Sequence, residues 1–246
     1  MKKSFIAFTA ALLLLSGCAG KEAGLPPPET SAETVIHTET TTESTETTAA
    51  AESVPEEEIP HETEYVSVNL VCAGDNLIHA PIYNQAARRA DGNGYDFSAA
   101  YEHVAPLIGE ADLAILNQET IVTDEFEPST YPSFASPSQL AEEMVKIGFD
   151  AMSVSNNHVL DKGERGLIST LTFWKENYPQ IPVYGAYLND DDMNDIRTLT
   201  VNGITFAFLG YPEHTNGLRL PADSECRVVY LAETDLIEKQ IKAAKE

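Results

Sequence analysis

The sequence predicts an α/β fold in which sheet and helices are layered, over residues 65–246. Hydrophobic runs of strand length alternate with amphipathic helical stretches, the pattern of such folds. Three of those runs end directly in polar clusters, Gly74-Asp75, Asn117-Gln118-Glu119 and Ser155-Asn156-Asn157-His158. Two further runs flank Asn202-Gly203, a strong hairpin signal. The chain has 246 residues, 43% of them hydrophobic, enough for the core of one ordinary domain. Its 39 Asp plus Glu outweigh 15 Lys plus Arg, a formal charge of −24. That balance argues against nucleic-acid binding, which needs clustered cations, and against electrostatic docking on an anionic membrane.

The elements follow in chain order. Lys2 and Lys3 precede an apolar run from Phe5 to Leu15, too short to span a bilayer but suited to a signal peptide over 1–18. The run ends in Leu15-Ser16-Gly17-Cys18, which resembles a bacterial lipobox and implies a lipidated Cys18 at an extracytoplasmic membrane surface. An ordinary secretory signal with a chance cysteine is the competing reading. Residues 19–64 hold twelve Glu, one Lys and many Thr, without aromatics or hydrophobic periodicity. Such a segment buries too little to offset chain entropy and reads as a disordered acidic tether.

From Tyr65, Val66 to Cys72 reads as a strand, and 80–90 and 98–108 as helices. Asp112 to Leu116 is a short buried strand. Pro137 to Ile147 is a helix with Pro137 in its first turn and Gly148 as its stop. Phe149 to Val154 and Ile181 to Tyr184 are strands on either side of a helix over 163–177. Ile196 to Val201 and Ile204 to Leu209 form the hairpin, and Ala232 onward is a charged amphipathic helix. Cys72 reads as a small core residue, and a Cys72–Cys226 disulfide stays open.

In open α/β sheets, ligands gather outside the carboxyl ends of the strands. Asp75, Glu119 and the Asn157-His158 pair are therefore expected on one rim. Carboxylates, amides and an imidazole suit a divalent ion such as Mn, Fe or Zn. Such an ion polarises an ester and activates water near neutral pH. His79, four residues after Asp75, either shares that rim or serves local structure. Gly74-Asp75 read alone is a plain turn, and Asn117 to Glu119 alone a capping loop. Two Asn, a His and Asp161 within six residues are harder to explain as packing.

These residues resemble the CapA family of capsule or poly-γ-glutamate biosynthesis proteins. The resemblance rests on Ala73-Gly74-Asp75-Asn76-Leu77-Ile78-His79, on Ala111 to Thr120, and on Ser155-Asn156-Asn157-His158 with Asp161-Lys162-Gly163. Val183-Tyr184-Gly185-Ala186 and Gly210-Tyr211 match too. Its relation to calcineurin-like metallophosphatases implies a β-sandwich flanked by helices and a two-metal centre. It implies Asp75 and Glu119 as metal ligands, Asn157 as the bridging-site ligand, and His158 as the catalytic acid beside Asp161. His79 joins the metal set. Members of this family normally continue past the helix corresponding to 233–245, to His-Trp-Gly-x-Glu and His-Pro-His motifs. This chain ends at Ala244-Lys245-Glu246 without them. The fold is accordingly expected to lack its C-terminal part, and the chain to be a weak metal binder.

Two functions remain open. One is a metal-dependent hydrolase acting on a capsule or cell-envelope polymer. The other is a lipid-anchored scaffold for polymer assembly with an incomplete site.

Overall fold

A computed structural model describes residues 65–245. The expected signal peptide, Cys18 and the tether over 19–64 lie outside the described residues. The central element is a parallel four-stranded sheet. Its strands are β1 (Leu70–Asp75), β2 (Leu113–Asn117), β3 (Ala151–Ser153) and β4 (Val183–Tyr184), and they pair in that order. Between β1 and β2 run α1 (Ala80–Arg89), α2 (Ser98–Tyr101) and α3 (Ala105–Gly109). The helix α4 (Ser138–Ile147) joins β2 to β3, and α5 (Gly163–Asn177) joins β3 to β4. After α6 (Asp190–Asn194) comes the antiparallel hairpin of β5 (Arg197–Val201) and β6 (Ile204–Phe208), and α7 (Thr234–Ala243) follows.

Strands added in running order with right-handed crossovers place their helices on one face. The packing has that form. Ala114, Leu116, Met152 and Val183 join Ala86, Ile108, Leu140, Met144, Leu167 and Trp174 in one buried cluster. The alternate strand residues Leu113, Ala151 and Tyr184 face the other way, toward Phe208, with Leu199, Val201 and Phe206 packed against them. The Tyr184 and Phe208 rings lie 5.4 Å apart. Both faces of β2 are thus covered, which is why its sequence is continuously apolar rather than alternating.

Local signals account for several boundaries. Gly148 closes α4 at φ 109°, and its N–H bonds the carbonyls of Met144 and Val145. The helix expected over 98–108 is instead two short ones, because Pro106 has no N–H for the Glu102 carbonyl and its ring crowds that oxygen. β1 starts later than expected and runs on to Asp75, since its partner β2 begins at Leu113 and pairs with Leu70.

Cys72 is corrected by the structure. It is exposed, because it faces away from the helices on β1, the edge strand. Cys226 is buried in the helix-side cluster, and both thiols are free. Burial pushes the Cys226 thiol up from its ordinary value. Among the described residues no helix is long and apolar enough to cross a membrane.

Candidate functional site

Parallel strands end on one rim, so β1, β2 and β3 deliver their following residues to the same place. Asp75 closes β1 opposite Asn117, which closes β2. The Asn117 Nδ2 donates to Asp75 Oδ1 at 2.7 Å. The loop after β3 brings Asn156, whose Nδ2 donates to Asn117 Oδ1 and to the Gln118 carbonyl, each at 3.2 Å. Asn156 Oδ1 in turn accepts the His158 backbone N–H at 2.9 Å. One chain of amides therefore ties three strand ends together.

Below the amides lies an acid–imidazole group. Asp161 and His158 are both 8% exposed, and Asp161 Oδ2 lies 2.9 Å from His158 Nδ1. The same oxygen accepts the Phe134 backbone N–H at 2.6 Å. An acceptor carboxylate assigns the ring proton to Nδ1, which turns Nε2 toward the rest of the site. Nε2 is 3.9 Å from Glu119 Oε1, beyond a hydrogen bond. Glu119 is 7% exposed, and the Asp75 carboxyl lies close enough for its charge to act on it. Burial, then the neighbouring Asp75 charge, push the Glu119 carboxyl above its ordinary range, with His158 partly opposing. The second oxygen of Glu119, Oε2, is buried and makes no hydrogen bond within the described residues.

The structure brings Asp75, Glu119, His158 and Asp161 together. The other two expected ligands are engaged elsewhere. Asn157 Nδ2 donates to Asn216 Oδ1 at 3.2 Å, on the loop after the hairpin. His79 is exposed, and its Nδ1 lies 3.1 Å from Thr130 Oγ1. Two neighbouring carboxylates, one with an orphaned buried oxygen, fit an oxygen-seeking divalent cation. They supply part of a ligand shell, since no group of three His, Cys, Asp or Glu able to hold a metal occurs among the described residues.

Several contributors were not legible in the sequence. Phe134 packs edge-on between two imidazoles, 5.0 Å from His79 and 4.8 Å from His158. Ser133 Oγ donates to the Asp161 carbonyl at 2.6 Å, and Lys162 Nζ donates to Ser133 Oγ at 2.9 Å. Phe134 and Ser133 belong to the segment between β2 and α4. A connection of that length was itself the available signal, because compact domains keep long loops mainly for function. Asn216-Gly217 reads in the sequence only as a turn; its link to Asn157 needs the fold.

The amides behind the rim are closed. Asn76 Nδ2 donates to Gln118 Oε1 at 2.8 Å, and Tyr101 donates its hydroxyl to Asn76 Oδ1 at 2.6 Å. Burial pushes that phenol well above its ordinary range. The backbone also closes tightly here. A Cβ on Gly185, at φ 102°, would stand 2.4 Å from Ser155 Cβ, and one on Gly210 would stand 2.7 Å from the same atom. The chain after β4 and after β6 is thereby pressed against the start of the Asn156 to His158 loop.

A model of the family described as "Bacterial capsule synthesis protein PGA_cap" matches residues 69–246. The capsule biosynthesis protein CapA of Bacillus anthracis is 30% identical over 127 residues, which are 49% of this chain and 30% of that protein. The chain thus spans less than a third of the length of that relative.

Proposed function

The chain belongs to the bacterial capsule synthesis protein family, and from that premise we propose that it serves capsule or cell-envelope polymer synthesis through a metal-dependent hydrolase site at the ends of β1, β2 and β3. The observation that carries the reading is the buried Glu119 carboxyl lying between the exposed Asp75 carboxylate and the His158–Asp161 pair. A buried carboxylate beside a like charge carries its own charge at a cost unless a proton or a cation offsets it. Asp75 and Glu119 would hold the ion, which supplies Lewis-acid polarisation and an activated water. His158, its Nδ1–H held by Asp161, would present a bare Nε2 that takes a proton from a bound water and passes it to a leaving group. A metallophosphatase-like sandwich is part of the same reading and is supported by the hairpin layer covering the sheet face opposite the helices. Asn157 Oδ1 and His79 Nε2, the atoms not engaged with Asn216 and Thr130, would be the ones to join the ligand set.

The polymer is read as poly-γ-glutamate or a related anion. A strongly acidic domain repels such a chain over about 8 Å at physiological salt, so the cation would also serve to dock it. The sequence signal at Cys18 supports a lipid-anchored, extracytoplasmic location. A second reading, a non-catalytic anchored scaffold, is favoured by one observation. The carboxylate pair stands without a third acidic or imidazole ligand among the described residues.

The test is cleavage of poly-γ-glutamate and of a chromogenic phosphodiester by the whole chain, with Mn²⁺ and with chelator. Turnover that needs Mn²⁺ and is lost in Asp75→Ala and His158→Ala is expected. Activity indifferent to both substitutions rejects the site, and absence of turnover with either substrate favours the scaffold.

A further inference from the structure

The helix α5 passes behind the rim, and one of its residues is at odds with its surroundings. Thr170 is 2% exposed, and its Oγ1 makes no hydrogen bond within the described residues. A threonine inside a helix ordinarily bonds the carbonyl four residues back. This one does not, so its hydroxyl is free to serve something else. Thr170 and Glu119 line the same small cavity, whose other walls include Ile121, Val154, Val159 and Leu167. The two buried oxygens without partners, Glu119 Oε2 and Thr170 Oγ1, therefore belong to residues facing one space. Its volume is about 10 Å³, close to the least that admits a water molecule. Leaving a buried acceptor unbonded is unfavourable, and more so when it is charged. An apolar cavity of this size would stay dry, whereas one with a carboxylate oxygen and a hydroxyl offers water the partners it needs.

We propose that this cavity is a binding site for one internal water, which bridges Glu119 Oε2 to Thr170 Oγ1 and makes Thr170 a positioning residue for the Glu119 carboxylate. The bridge leaves Oε1 directed toward Asp75 and His158 while Oε2 is tied to α5. The hydration itself stands on the cavity and its two oxygens. The positioning role rests on the cation reading above, because an oriented carboxylate matters most to an ion held by Asp75 and Glu119. Outer hydrogen-bond partners of metal ligands typically change affinity about 10–100-fold.

The test compares the whole chain with Thr170→Val, which keeps shape and removes the hydroxyl, and Thr170→Ser, which keeps the hydroxyl. Oxygen-17 relaxation dispersion counts long-lived internal waters. Wild type and Thr170→Ser should each hold one more than Thr170→Val. Equal counts in wild type and Thr170→Val overturn the water site. Mn²⁺ titration followed by electron paramagnetic resonance then reads the positioning. About 10-fold weaker binding by Thr170→Val, restored in Thr170→Ser, is expected. Loss of the water with unchanged Mn²⁺ affinity overturns the positioning role. No Mn²⁺ binding by wild type refutes the cation reading instead and leaves the water count to decide the site. Should Thr170→Val fail to fold, a high-resolution structure of the unmodified chain decides. Water density within hydrogen-bond reach of both oxygens supports the site, and its absence rejects it.

Discussion

Replacing Gly185 by alanine probes the convergence that shapes the rim. Gly185 follows β4 at φ 102°, a backbone region L side chains rarely adopt. Holding alanine there costs about 1–3 kcal/mol of backbone strain. Its Cβ would also stand 2.4 Å from Ser155 Cβ, 2.8 Å from Ser155 N and 2.9 Å from Ser155 Cα. Two of those three atoms are backbone, so no rotamer change relieves the contact, and the loop itself must shift. Overpacking of that kind adds about 1–3 kcal/mol. The sum is on the order of 4 kcal/mol. For a folded region of this size a loss of 1 kcal/mol lowers Tm by about 2–4 °C, so the expected drop is about 8–16 °C. Urea and thermal unfolding followed by far-ultraviolet circular dichroism measure it. The double variant Ser155→Gly/Gly185→Ala should recover only part of the loss, because Ser155 N and Cα keep their positions. A Tm within about 2 °C of wild type, or full recovery in the double variant, would refute the reasoning.

Two further outcomes follow from the acid groups. Because the folded-state pKa of Glu119 is raised above its ordinary value of 4.5, the folded protein keeps a proton that the unfolded chain releases. Stability without added metal therefore falls as pH rises above about 4.5. Glu119→Gln should flatten that fall and be the more stable form at neutral pH; a steeper or unchanged pH profile in urea unfolding would contradict a buried Glu119 carboxyl beside the Asp75 charge. Asp161→Ala strands the His158 Nδ1 and the Phe134 N–H that share Asp161 Oδ2. Unsatisfied buried donors cost about 1–3 kcal/mol each, so about 2–6 kcal/mol should be lost, with Asp161→Asn losing less. A change under about 0.5 kcal/mol would show that Asp161 does not hold the group together.

The division between what was legible and what was not follows the range of the interactions. The helix at 163–177 and the hairpin about Asn202-Gly203 are local, set by periodicity and turn chemistry, and they stand where the sequence places them. The boundary of β1 depends on pairing with β2, about forty residues away, and no local signal records it. The split between α2 and α3 is encoded locally, at Pro106. Cys72 shows the same limit from the other side. An apolar run establishes burial only for a strand covered on both faces, and β1 is an edge.

The sequence alone determined the alternation that makes an α/β sheet, and it placed Asp75, Glu119 and the Asn157-His158 pair at successive strand ends, because side-chain type and strand length are properties of contiguous residues. Only the tertiary structure decided which of them meet. Asp75 lies beside Glu119 and His158 pairs with Asp161, while Asn157 turns to Asn216 and His79 to Thr130. Those choices are made by segments far apart in the chain, by the Phe134 loop, by Ser155 pressed between Gly185 and Gly210, and by α5 behind Glu119. Side-chain direction at a strand end is set by what packs against it, and that information exists only once the chain has folded.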